Sequence, residues 1–260
     1  MNIILKIIIC YSDKNLINIL FQESSLTLVR IITVYFVQGF LVAFFIYLVY
    51  KIIKRDRKRL NYIFSFQYII PAIALSINFF YAPLAVESVV LILNFITTIL
   101  TAFSTIFNLL FILILLKSEK VINTKKQILF TAIYCIALVM SIFIYYNPNI
   151  GITMNGTTNW LPAWKWPLFF YIIAIYIFYA VLPSYYYTVK VYRRFEDKDL
   201  KKKWRVFIIG NTALYTVIIL IFLSNTLNIA IIRTIFSILS GILSILGAYG
   251  TYYGVLRQLE

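Results

Sequence analysis

The sequence predicts an all-α integral membrane protein, a seven-transmembrane helix bundle with its N-terminus outside the cell and its C-terminus in the cytoplasm. Seven long apolar stretches alternate with short polar connections. Lys and Arg concentrate in every second connection: 19 of the 24 basic residues lie between spans 1 and 2, 3 and 4, or 5 and 6, or after span 7. This distribution is the positive-inside pattern of multi-pass membrane proteins.

The composition also indicates a lipid environment. Hydrophobic residues make up 62% of the chain and charged residues 13%, whereas soluble domains carry about 25% charged residues. The net charge is +15, but the basic residues lie at the predicted membrane boundaries. We therefore expect a cell-membrane location and contacts with membrane lipids, anionic headgroups included, rather than with nucleic acid.

Span 1, with about 20 residues, just crosses a hydrocarbon core of about 30 Å as a helix that rises about 1.5 Å per residue. Span 3 is longer than needed and should tilt or protrude, and Pro71 predicts a kink in span 2. Residues 1–24 are interpreted as a short, uncleaved outer segment at the membrane interface, residues 25–256 as the transmembrane domain, and residues 257–260 as a cytoplasmic tail. The predicted spans are 31–50, 62–81, 89–116, 128–146, 167–187, 206–223 and 234–253.

Two spans carry polar residues at helical spacing, which places each set on one helix face. Polar side chains gain nothing from facing lipid, so both faces should point into the bundle. The stripe on span 3 comprises Glu87, Asn94, Thr98, Thr101, Thr105 and Asn108. The stripe on span 7 comprises Arg233, Ser237, Ser240, Ser244, Gly247 and Thr251.

The outer parts of these stripes form the predicted ligand site: Glu87, Asn94, Thr98, Arg233 and Ser237. We hypothesise that Glu87 and Arg233 approach one another at the mouth of an outward cavity, with Arg30 as an alternative partner. Such an ion pair could gate or orient a polar ligand. The alternative is that Glu87 and Arg233 reach lipid headgroups while the small polar residues only pack the helices.

The connection between spans 5 and 6 is the most highly charged part of the chain. It can bind anionic lipid, or it can present a docking surface to a cytoplasmic signalling protein, and the two roles are compatible. The predicted contact residues are Arg193, Arg194, Lys201, Lys202, Lys203 and Arg205.

Catalytic and metal-binding signatures are missing from the sequence. The chain has no histidine and two well-separated cysteines, Cys10 and Cys135. Histidine is the commonest general base and metal ligand, and Glu87 is the only acid near the outer end of a span. We therefore expect no enzyme activity, no cofactor and no metal.

The second half of the chain carries recognisable landmarks. An outer loop ends in tryptophans before Pro167, an aromatic stretch follows at 168–171, span 5 exits through residues 192–195, and basic residues 201–205 lead to Gly210. Span 7 closes with Tyr252-Tyr253-Gly254-Val255. With the seven-span topology, these residues resemble the seven-transmembrane N-terminal sensory region of membrane histidine kinases. The resemblance implies a sensor, here without a kinase domain, so that its output would pass through a separate protein.

Three functions stay open at this point. The first is a stand-alone receptor-like or sensory protein that binds a small or lipidic ligand from the outer side. The second is a small transporter, although the two three-helix repeats of seven-span carriers are not visible, since Pro71 in span 2 has no counterpart in span 6. The third is a non-catalytic accessory subunit. Oligomeric state is not predicted.

Overall fold

In the computed structural model, residues 28–55, 57–118 and 121–256 are described. They form seven helices that are long and apolar enough to span a membrane. The helices are α1 (Ile32–Arg55), α2 (Arg59–Tyr81), α3 (Glu87–Lys117), α4 (Thr124–Tyr145), α5 (Trp166–Arg194), α6 (Lys198–Leu227) and α7 (Ala230–Val255). The segments predicted at 1–24 and 257–260 lie outside the described residues.

The helices extend further than the apolar stretches predict. α5 continues to Arg194 and α6 already begins at Lys198, so the connection between them is residues 195–197 alone. Asp197 caps α6, because its side chain accepts a hydrogen bond from the backbone N–H of Asp199, and lysine is a good helix former. The basic residues 201–205 are therefore helical, and the loop predicted for them is wrong.

α3 runs through the centre of the bundle. In the most apolar stretch of α3, 67% of the residues are buried inside the protein. The same fraction is 22% in each of α1, α4 and α7. Aromatic rings join it to its neighbours: Phe111 lies 4.6 Å from Phe64 of α2 and 6.1 Å from Phe207 of α6, between ring centroids. The predicted long span 3 is thus the helix on which the others pack.

α6 and α7 pack more closely than any other helix pair, and glycines make the approach possible. A Cβ atom on Gly210 would lie 2.6 Å from the Thr251 backbone nitrogen and 2.7 Å from the Gly247 carbonyl oxygen. A Cβ atom on Gly254 would lie 2.7 Å from the Phe207 backbone. Small residues at helix interfaces let backbones meet in this way.

Four helices depart from regular α geometry, and in α4 the break lies at Met140 and Ser141. α1 begins with a π-helical segment, Ile32–Gln38, after a helical turn at Leu28–Ile31, and α5 contains another at Tyr176–Val181. The second π segment ends two residues before Pro183, which has no backbone N–H to donate to the helix ladder. α3 is interrupted at Ser104, whose hydroxyl turns back to the Thr101 carbonyl. α2 stays helical through Pro71.

The perimeter of the bundle is apolar. Phe80 and Phe143 are 74% exposed, Phe178 68%, and Ile231 72%. Many more aliphatic and aromatic side chains share this surface. A protein in water rarely leaves so much contiguous apolar surface uncovered.

The two ends of the bundle differ in charge and structure. We call the end with connections 56–58, 118–123 and 195–197 the basic end, and the end with connections 82–86, 146–165 and 228–229 the loop end. The described basic residues at the loop end are Arg30, Lys165 and Arg233; the others lie at the basic end. Arg59 and Gln127 join α2 to α4 at the basic end by a 2.8 Å hydrogen bond.

Candidate functional site

The loop of residues 146–165 has a defined fold. Its content of Gly, Pro and Asn does not predict this. Strands β1 (Ile152–Thr153) and β2 (Ala163–Trp164) form a short antiparallel hairpin with Ile152 opposite Trp164. Trp164 is buried and stacks on Phe222 of α6 at 4.8 Å between ring centroids. The loop thus packs onto the bundle as a compact cap.

Two arginines from the ends of different helices attach this cap. Arg30, which precedes α1, donates from Nη1 to the Asn159 carbonyl at 3.2 Å and from Nη2 to the Trp160 carbonyl at 3.3 Å. Arg233 of α7 donates from Nη2 to the Pro162 carbonyl and to Asn228 Oδ1. Hydrogen bonds from a charged donor are stronger than neutral ones, so the two guanidinium groups hold residues 159–162 from two sides.

The segment held by Arg30 has an unusual backbone. Asn159 and Trp160 both have a positive φ, 50° and 57°. This left-handed region is common for Asn and uncommon for a bulky residue such as Trp. Trp160 is nevertheless buried. Its conformation carries strain of about 1–3 kcal/mol that the surrounding contacts offset.

Arg30 is 8% exposed, although it carries a charge. Burial lowers the pKa of its guanidinium, while the neighbouring Tyr81 and Tyr35 act in the opposite direction. An arginine remains protonated at neutral pH in spite of such a shift. Arg30 therefore places a buried positive charge beside Tyr81 at the loop end.

A hydrogen-bonded network of α2, α3 and α4 lies next to this charge. Asn94 of α3 donates from Nδ2 to the Tyr81 hydroxyl of α2 at 3.0 Å. Its Oδ1 accepts from the Tyr145 hydroxyl of α4 at 2.8 Å. All three residues are buried. With Arg30 and the cap, they form a polar layer that connects four helices to the loop.

The structure places the predicted ligand-site residues in different environments. Asn94 and Thr98 are buried on α3, as the stripe predicts. Ser237 is half-buried on α7, one turn after Arg233. Glu87 is exposed at the start of α3 and borders a surface hollow with Tyr146, which directly follows α4. Their role in ligand binding stays a prediction.

The predicted ion pair between Glu87 and Arg233 is not formed. Arg233 is engaged by Pro162 and Asn228, and no ion pair joins Glu87 to either arginine of the loop end among the residues described. The physical reason is that residues 146–165 fold over the ends of α1 and α7, so both arginines find backbone carbonyls there. Sequence spacing gives no information about such a loop contact.

A second polar layer lies deeper in the bundle. Asn108 of α3 donates to the Tyr215 hydroxyl of α6, and Tyr176 of α5 donates to the Tyr215 carbonyl at 3.3 Å. Tyr68 of α2 and Thr251 of α7 are 2.6 Å apart through their hydroxyl oxygens. The inner halves of both predicted stripes therefore face tyrosines of other helices.

The predicted contact residues at the basic end fall into two groups. Arg194 donates to the Leu116 carbonyl at the end of α3 at 2.9 Å, and Arg205 donates to the Tyr192 hydroxyl at 3.0 Å. Arg193 and Lys202 are exposed, while Lys201 and Lys203 are half-buried. The buried Trp204 fixes the start of α6, because its indole N–H binds the Thr188 carbonyl at 3.0 Å. The residues thus form one basic face on α5 and α6.

Several buried tyrosines are hydrogen-bond partners that the polar stripes did not predict. Tyr81, Tyr145, Tyr176 and Tyr215 are all buried and hydrogen-bonded. A buried tyrosine needs a partner for its hydroxyl, and the chain contains 21 tyrosines. This abundance within apolar spans was the available signal.

No protein family, curated protein or solved structure matches the chain. The resemblance to the sensory region of histidine kinases therefore remains a prediction.

Proposed function

We propose that this chain is a stand-alone, receptor-like or sensory membrane protein that spans the bilayer seven times, with its N-terminus outside. In this proposal a small or lipidic ligand acts at the loop end, outside the cell, and the basic end signals to a separate cytoplasmic protein. The proposal involves no catalytic step, cofactor or metal.

Two features support the membrane topology. The apolar perimeter matches a lipid environment. The charge difference between the two ends matches the positive-inside rule, because the end with the excess of Lys and Arg stays in the cytoplasm. Together they favour an outer cap of residues 146–165.

The attachment of the cap by Arg30 and Arg233 is the observation that carries the proposal. The cap contacts the start of α1 through Arg30, α7 through Arg233 and α6 through Phe222. A ligand that binds the capped and uncapped arrangements differently would shift these helix ends. Asn94 and Thr98 lie on the central helix, and Asn94 binds the hydroxyl of Tyr81, which interacts electrostatically with Arg30.

α6 and α7 offer the route to the basic end. Arg233 begins α7, and α7 meets α6 backbone to backbone at Gly210. Nearer its start, α6 carries Trp204 and the lysines 201–203. Packed helices shift as units rather than deform, so a displacement of α7 at the cap would move the basic face.

Cross-linking and affinity capture from native membranes test this proposal. The intact protein is compared with a triple variant, Lys201→Gln, Lys202→Gln and Lys203→Gln, and with the control Lys51→Gln, Lys54→Gln and Lys125→Gln, which removes equal charge at the same end. Capture of a soluble signalling protein that the first variant loses and the control keeps is the expected result. Recovery of only the chain itself and lipid from all three would contradict it and favour an accessory subunit.

A transporter is the second candidate, and one observation favours it. Asn211 of α6 is 3% exposed, and both polar atoms of its side chain lack a hydrogen-bond partner among the described residues. Asn108 Oδ1 also lacks a hydrogen-bond partner among these residues. Unpaired polar groups inside a bundle are typical of an internal water or solute path. Solute uptake abolished by Asn211→Leu would support a carrier.

A further inference from the structure

A hollow at the basic end, between the ends of α3 and α5, concentrates positive charge. Its lining residues are Leu116, Lys117, Tyr186, Tyr187, Lys190, Arg193 and Arg194. Four of the seven are basic and none is acidic. The hollow differs from the basic face on α5 and α6, because it shares only Arg193 and Arg194 with that face.

The four cations have no carboxylate partner in the part of the chain that the structure describes. Lys117, Lys190 and Arg193 are exposed. Arg194 uses Nη1 to bind the Leu116 carbonyl, and this contact fixes the guanidinium at the rim while its remaining N–H groups stay available. Charges gathered without a counter-charge repel one another unless an anion joins them.

The two lysines are held in place by tyrosine rings. Lys190 Nζ lies 4.3 Å from the centroid of the Tyr186 ring, and Lys117 Nζ lies 5.9 Å from that of Tyr187. A cation–π contact restrains the long side chain and keeps its N–H groups directed outward. The tyrosines face the bundle perimeter where the apolar surface ends, and Tyr186 is 56% exposed. This position corresponds to the depth of the lipid headgroups.

We propose that this hollow binds one phosphate-bearing anion, the headgroup of an anionic phospholipid or a soluble phosphate ester. Arg194 and Arg193 would supply planar N–H donors to phosphate oxygens, and the two lysines would add point charges on the opposite side. The site does not depend on the proposed sensing function, and a failure here leaves that function untouched.

Native mass spectrometry of the full chain tests the site. The protein is titrated with phosphatidylglycerol, and with phosphatidylcholine as the zwitterionic reference. The variant Lys117→Gln with Lys190→Gln should lose roughly thirtyfold in affinity for phosphatidylglycerol, because each basic residue near a membrane surface contributes about 1 kcal/mol, which is about fivefold in affinity. Its affinity for phosphatidylcholine should not change.

A matched control is available on α1. Lys51 and Lys54 also rest on tyrosine rings, Tyr47 and Tyr50, at 5.6 and 5.4 Å, but they lie on the exposed side of one helix. Lys51→Gln with Lys54→Gln should reduce phosphatidylglycerol binding by less than about threefold. Equal loss in both double variants would overturn the proposal, since it would show only diffuse attraction. Unchanged binding in the Lys117 and Lys190 variant would also overturn it.

Two further measurements separate the remaining outcomes. Glycerol phosphate is added to the protein in phosphatidylcholine nanodiscs. Binding of glycerol phosphate identifies a soluble anion as the ligand, whereas binding of phosphatidylglycerol alone identifies the lipid. Either result supports the site.

Thermal unfolding of each variant detects loss of structure. If the variant unfolds more easily yet binds lipid normally, the cations serve only to stabilise the helix ends, and the proposal is wrong. The single variant Lys190→Gln replaces the double one if that does not fold.

Discussion

Arg233, in the first turn of the last helix, donates a hydrogen bond to the backbone carbonyl of Pro162, in the loop between α4 and α5. The same guanidinium binds Asn228 in the short connection that precedes α7. One side chain therefore ties the start of α7 to the cap and to the preceding turn. Arg30 holds the neighbouring carbonyls of the cap from the start of α1, so the cap cannot move without the ends of these two helices.

Loss of the Arg233 contact should loosen the cap locally. We expect Arg233→Gln to raise amide hydrogen exchange of residues 159–164 about tenfold, because a hydrogen bond from a charged donor contributes about 1.5 kcal/mol or more. Hydrogen exchange with mass spectrometry of the detergent-solubilised protein measures this. Lys165→Gln is the matched control, since Lys165 is an exposed cation of the same loop. In this variant the amide exchange of residues 159–164 should match that of the parent protein. Unchanged exchange in Arg233→Gln would show that the cap holds without the arginine.

The network at Asn94 should be energetically coupled. In a double-mutant cycle of Asn94→Ala and Tyr145→Phe, we expect a coupling free energy of about 1 kcal/mol, because the 2.8 Å hydrogen bond from Tyr145 to Asn94 is buried. Chemical unfolding in mixed micelles measures the four free energies. A second cycle pairs Asn94→Ala with Tyr171→Phe as a control, because the hydroxyl of Tyr171 binds the Ala137 carbonyl and not Asn94. Coupling of similar size in both cycles would argue against a specific network.

The contact of α6 with α7 should not tolerate a side chain at Gly210. The Cβ atom of Gly210→Ala would meet backbone atoms of α7 at 2.6 and 2.7 Å, which forces the helices apart. We expect a loss of about 2 kcal/mol in the free energy of unfolding. Gly241→Ala is the control, because its Cβ would make an ordinary contact with Val37 at 3.5 Å. That variant should gain up to about 1 kcal/mol, since alanine favours the helix over glycine.

Cysteine labelling on intact cells tests the orientation. In a chain with Cys10→Ser and Cys135→Ser, we introduce Gly156→Cys into the cap, where the position is open, or Lys202→Cys at the basic end, where it is exposed. The proposed topology predicts that an impermeant maleimide labels the first variant on intact cells and the second only after permeabilisation. The reverse pattern would place the basic end outside and refute the topology.

The sequence predicted the helical part of the fold well. The apolar stretches and the basic connections were sufficient to predict seven helices, and the residues that the structure describes form seven that are long and apolar enough to span a membrane. Hydropathy underestimated α6, because Lys198–Arg205 is charged yet helical. Burial of Asn94 and Asn108 on α3 also followed from their spacing, since a polar side chain facing lipid is unfavourable.

The candidate site was predictable only in part. Glu87 and Arg233 were paired because their charges are opposite and both lie at helix ends, but the partner of Arg233 is the carbonyl of Pro162. A backbone acceptor leaves no mark in a sequence, and the folded cap places it by tertiary contacts such as the stacking of Trp164 on Phe222. The hollow at Lys117 and Lys190 likewise requires the relative positions of α3 and α5.

Transmission from the cap to the basic end is the central claim, and one measurement addresses it directly. Hydrogen exchange of residues 195–205, at the start of α6, is compared in the parent protein, Arg233→Gln and the control Lys165→Gln. We expect Arg233→Gln to change hydrogen exchange both in the cap and around Trp204, and Lys165→Gln to change it at neither place. If Arg233→Gln loosens the cap and leaves residues 195–205 unchanged, the two ends are not coupled, and the receptor mechanism proposed for this protein is contradicted.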